Sequence, residues 1–178
     1  MNTRIATVTL ALAICAAAHA ASPYAGQESR EIKALSADEV SGLLSGKGMG
    51  FAKAAELNGF AGPAHVLELA SELQLTVEQR ARTEVLFASM SAKAAANGRM
   101  LVEREKELDR LFSSRAITPE QLAVSVREIG ELQAAVRNAH LEAHLLQVEI
   151  LTTAQNARYS ELRGYGVTHQ RGGTEHKH

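Results

Sequence analysis

Apolar residues recur every three or four positions in two long stretches of the chain. The first stretch carries them at Phe87, Met90, Ala94, Leu101, Leu108 and Leu111/Phe112. The second carries them at Leu122, Val126, Ile129, Leu132, Val136, Ala139, Ala143, Leu146 and Ile150. This is the period of a helix with one apolar face, not the alternation of a strand. Three similar phrases mark where the helices begin: LTVEQ at 75–79, ITPEQ at 117–121 and LTTAQ at 151–155. In each, a threonine (Thr76, Thr118, Thr152) is placed to cap a helix. A glutamine three residues on (Gln79, Gln121, Gln155) is placed to reach back to the cap backbone. Pro119 adds a preset first-turn backbone. The expected helices span about 77–113, 119–150 and 153–163, with Gly164 ending the last.

Shorter helices precede them. Ser36 and Glu39 have capping-box spacing, and the glycines of GKGMG (46–50) stop the helix they open. FAKAAELNG (51–59) reads as a short helix ended by Gly59. Pro63 starts another that runs to about Leu73. The short link FSSRAI folds the two long helices back on each other. The expected fold is all-α: an elongated antiparallel long-helix hairpin with short flanking helices. One apolar stripe on a hairpin is not a closed core, so a cradle-like homodimer is also expected. Gly98, in the middle of the first long helix, is expected to mark a bend.

Composition sharpens this picture. The 178 residues are 46% hydrophobic but only 4% aromatic, with no Trp, so a thick core is not expected. The first 20 residues have a signal peptide's form: MNTR is positive, IATVTLALAICAAA is apolar, and Ala18 and Ala20 supply the small residues of a cleavage site. Cleavage near Ala20 would take the formal net charge from −1 to −2 and remove Cys15, the only cysteine. The expectation is an exported, periplasmic protein with no disulfide and no membrane insertion after cleavage. The charge gives no pull toward nucleic acid. Residues 21–35 are polar and aperiodic and read as a flexible arm, 36–165 as the helical domain, and 166–178 as a disordered, histidine-containing tail.

No nucleophile-and-base arrangement or phosphate loop is present, so an enzyme is not expected. The best constellation is HLEAH. His140 and His144, four residues apart on a helix, share a face and can share one metal ion. The plainer alternative is a hydrogen-bonded pair in a helix contact. With the turn centred near residue 116, Glu84 falls within side-chain reach of His144 along the axis. His65 precedes the first long helix and can fold over that end of the hairpin.

Paired LTxxQ phrases, a signal peptide and a small helical chain without mature cysteine resemble the Spy/CpxP-like LTxxQ family over roughly residues 60–165. The resemblance implies a helical cradle, usually an antiparallel dimer, in the bacterial periplasm and without enzymatic activity. It implies one of three roles: an ATP-independent holdase for unfolded envelope proteins, a regulator docking on a membrane sensor domain, or a heavy-metal sensing and resistance protein. The metal branch uses His and Glu from these regions with a His-x3-Met step, which His140-x3-His144 matches with His in place of Met. His65, Glu84, His140 and His144 would then give four ligands. That set suits zinc, nickel, cobalt or copper(II). The chaperone members' cationic concave face is not matched, because helix 119–150 carries two arginines against five glutamates.

Overall fold

The structure, a computed structural model, describes residues 22–165. The signal-peptide and tail expectations lie outside those residues. Among the described residues every regular element is helical. Three short helices, α1 (Ala37–Leu44), α2 (Lys53–Glu56) and α3 (Pro63–Glu68), precede the hairpin of α4 (Val77–Ser113) and α5 (Pro119–Ile150), and α6 (Thr153–Leu162) closes the chain. No helix among them is long and apolar enough to cross a membrane.

The threonines cap as expected. Ser36, Thr76, Thr118 and Thr152 each form a reciprocal capping box with the residue three positions on. Each such cap contributes about 1 kcal/mol, which is why the helix starts are sharp. Two of the phrases do something more. The Gln79 carboxamide donates to Gln155 Oε1 at 2.8 Å, and that of Gln155 donates back to Gln79 Oε1 at 3.0 Å. Gln79 also donates to the Ile150 carbonyl, and Gln155 to the Leu73 carbonyl. The first and third phrases are therefore clasped together at the open end of the hairpin. Gln121, at the closed end, makes only its cap contacts.

Cross-helix pairs fix the register. Gln147 donates to Thr83 at 3.2 Å, Lys93 pairs with Glu142 at 3.3 Å and Arg104 pairs with Glu128 at 3.3 Å. All three place the turn near residue 116, as the short link requires.

The apolar stripe is covered in two places. Ile32, Leu43, Leu101, Val102, Ile129 and Val136 form one cluster under α1. Ala61, Val66, Leu73, Leu151 and Tyr159 form another under α3 and α6. The segment read as a flexible arm thus lends Ile32 to the core, and its Lys33 and Glu31 pair with Asp109 and Lys106 on α4. Two apolar side chains, Ile32 and Leu35, at the end of a polar stretch are too few to announce a period. Gly98 does not break α4. A Cβ there would lie 2.2 Å from the Leu43 carbonyl oxygen, so this glycine lets the end of α1 lie directly on α4.

Two stability predictions follow from the clasp and from this contact. Gln155→Ala, which strands the Leu73 carbonyl and half of the Gln79 carboxamide, is expected to cost about 1–3 kcal/mol. Gln121→Ala should cost roughly 0.5–1 kcal/mol, since it loses exposed cap contacts alone. Urea denaturation of the two variants compares them, and equal losses would exclude the clasp as a stabilising feature. Gly98→Ala gains about 1 kcal/mol in an ordinary helix. Here it should instead lose roughly 1–3 kcal/mol through overpacking against Leu43.

Candidate functional site

The connections between α1 and α3 build a roof over one face of α5. After α1 the chain reverses through Gly46, Met49 and Gly50, all at positive φ (+67°, +40° and +83°). Such turns favour glycine, and GKGMG supplies it at two of the three. Gly59, at φ +84°, ends the next turn, and Gly62-Pro63 opens α3. Beneath this roof lie His140 and His144, both buried.

His140 stacks on Phe51, with ring centroids 6.3 Å apart and planes 10° apart. Its Nε2 is buried and has no hydrogen-bond partner. Burial pushes this imidazole below its ordinary pKa and the neighbouring His144 adds to that, while a hydrogen bond to the Lys47 backbone opposes them. The ring is held neutral.

His144 donates from Nδ1 to the Phe60 carbonyl at 2.8 Å. Nδ1 therefore carries a proton, and in the neutral ring the lone pair is on Nε2. A Cβ at position 62 would lie 2.9 Å from that Nε2 and 2.7 Å from Cε1. Gly62 has φ −92° and ψ 140°, a backbone any residue adopts. Space, not conformation, therefore explains the glycine: it lets the start of α3 pack directly against the edge of the His144 ring.

Glu56 is the hub of the roof. Its Oε1 accepts from Tyr159 at 2.6 Å, Tyr165 at 2.9 Å and Arg163 Nε at 3.3 Å. Its Oε2 is buried without a hydrogen-bond partner, 3.7 Å from His144 Nδ1. Burial, with Glu56 as acceptor, raises the Tyr159 hydroxyl far above its usual pKa, so it stays a donor.

These groups border one cavity of about 580 Å3. His65, His140 and His144 all line it, although His65 points its Nδ1 at Glu68, 2.9 Å away. Glu84 does not line it. Its carboxylate is exposed and pairs with Arg80 at 3.6 Å. Among the described residues no three His, Cys, Asp or Glu side chains converge closely enough to hold a metal ion.

Reading the sequence misses Glu56, Arg163 and Tyr165. A signal was present, since Glu56 is the only acid between Glu39 and Glu68. Comparison with known proteins finds no matching family model, no similar curated protein and no similar solved structure.

The lowered pKa of His140 carries a pH prediction. The folded state binds this proton less readily than the unfolded state. Stability is therefore full above the unfolded histidine value, about 6.5, and is lost as pH falls through the lower folded one. Denaturant midpoints measured from pH 7.5 to 5 should fall at the acid end, and His140→Gln should flatten that slope. A slope unchanged by the substitution would assign the acid sensitivity elsewhere.

Proposed function

We propose that the chain is a non-enzymatic, exported protein that binds a divalent transition metal through His140 and His144. The observation that carries this is the pair of imidazoles under the roof, each keeping one nitrogen without a protein partner. His140 Nε2 is buried and unbonded, His144 spends only Nδ1 on the Phe60 carbonyl, and both residues border the same cavity. A carbonyl hydrogen bond to the far nitrogen, as Phe60 provides for His144, is the usual way a ligating histidine is oriented. Imidazole is a donor of intermediate softness, suited to zinc, nickel, cobalt or copper(II). An ion held by these two rings would supply a fixed positive charge beneath the roof. Envelope stress and heavy-metal resistance, with export to the periplasm, are the setting that the LTxxQ resemblance suggests for such a site.

A holdase is the second reading. It is favoured by apolar side chains left on the surface of the hairpin, among them Val85, Phe112, Val126 and Leu145, each more than half exposed. It differs from the first in needing no histidine.

Calorimetric titration with zinc, nickel, cobalt and copper(II) tests the proposal. One of these should bind the wild-type chain and raise its melting temperature further as its concentration rises. Binding should weaken as pH falls through the histidine range, because the ligating nitrogens must be unprotonated. The double variant His140→Ala/His144→Ala should lose the shift with helix content retained. If it binds as well as wild type, the pair is a packing pair and the holdase reading takes over.

A further inference from the structure

A second cavity, of about 510 Å3, lies along α4 toward the closed end of the hairpin. It is roughly four turns from Met90, which borders the histidine cavity. Its floor is one stripe of the helix. Glu105, Leu108, Asp109 and Phe112 stand three and four residues apart and so share a face. Lys33 and Ala34 of the N-terminal segment complete the lining. Lys33 ties that segment down, its amide and its Nζ donating to the two Asp109 carboxylate oxygens at 3.2 and 3.1 Å. Phe112 is 54% exposed, so one wall reaches solvent.

Glu105 is the odd member of this lining. It is only 8% exposed, and burial raises its pKa with no hydrogen bond or neighbouring charge to oppose the shift. The charges around it are engaged elsewhere. Lys33 holds Asp109, Lys106 pairs with Glu31 at 2.6 Å, and Arg110 pairs with Glu107 at 2.7 Å. On the α5 side Glu128 pairs with Arg104 at 3.3 Å and Arg127 with Glu131 at 3.8 Å. The lining therefore carries one uncompensated acid in an otherwise apolar space. A buried carboxyl without a partner is a cost to the fold, and a cation entering the cavity removes it.

We infer that this cavity is a binding site for a small amphipathic amine, its ammonium paired with Glu105 and its apolar body laid against Leu108 and Phe112. The ammonium supplies the donors that Glu105 lacks, in a charge-assisted bond. The Phe112 ring favours both a hydrocarbon and a cation beside it. The volume lies within the range of small-molecule sites. An anion would meet Glu105 and Asp109. A neutral hydrocarbon would leave Glu105 unpaired. A bare metal ion would lack ligands, since no three His, Cys, Asp or Glu converge among the described residues. The site uses neither histidine and stands whether or not they hold a metal.

Phenethylammonium is the probe, and phenethyl alcohol, with the same body and no charge, is the control. Each is titrated calorimetrically into the full chain near neutral pH. The ammonium should bind about tenfold or more tightly than the alcohol. Glu105→Gln, which keeps the shape and removes the charge, should bring the ammonium down to the level of the alcohol. A pH series on the wild-type chain decides the matter even if that variant folds poorly. Ammonium binding should tighten as pH rises from about 4.5 to 7, because its partner must be ionised. At the acid end binding should release a proton to the buffer, and the alcohol should show neither effect. Equal binding of the two probes, ammonium binding unchanged in Glu105→Gln or across the pH series, or no binding at all would each overturn the proposal and leave the cavity a packing gap.

Discussion

Two carboxamides that bond each other hold the open end of the hairpin. Gln79, in the first turn of α4, and Gln155, in the first turn of α6, exchange donor and acceptor. Even a half-buried amide left half-paired costs more than a paired one contributes, so this arrangement tolerates little slippage. The rest of the site follows from it. With α6 pinned, Tyr159, one turn beyond Gln155, is driven under Ala61 and Val66, where it is wholly buried. From there its hydroxyl reaches Glu56 and takes the Gly62 amide. Glu56 in turn holds α2 and its following turn over α5, and that turn presents the Phe60 carbonyl to His144. Helix caps at one end of the molecule thus orient an imidazole two turns or more away.

The sequence makes the helices legible and leaves the roof obscure, for a physical reason. Caps are local: Thr76 and Gln79 satisfy each other within one turn, so α4 begins at Val77 as the phrase requires. Hairpin register is nearly local too, because a short link leaves little freedom. Register gives position along the axis but not around it. Glu84 shows the difference. Its neighbour Thr83 is buried against Gln147, and one step along a helix turns a side chain by about 100°. Glu84 is therefore swung out of the interface to Arg80. The contacts of Glu56 span more than a hundred residues, to α6 and Tyr165. Nothing in FAKAAELNG or LRGY alone announces that they meet.

Unbonded buried atoms do not by themselves mark a site. Gln147 Oε1 and Asn156 Oδ1 are also buried without partners. Each belongs to a carboxamide whose nitrogen is already bonded, to Thr83 in one case and to the Val148 and Thr152 carbonyls in the other. Neither borders the cavity. They are ordinary residue of packing polar groups tightly, and one free carbonyl lone pair is a small cost. The histidines differ in one respect, since both line the cavity. Burial removes the proton from His140, Phe60 fixes the proton of His144 on the far side, and Gly62 withholds a methyl group from its near side. Leucine at 144 would leave the Phe60 carbonyl without its donor, so this histidine has a structural task of its own. What sets the pair apart from the two carboxamides is therefore position, beside a cavity walled by Phe87, Met90, Lys47 and Lys53, and not the lack of a partner alone.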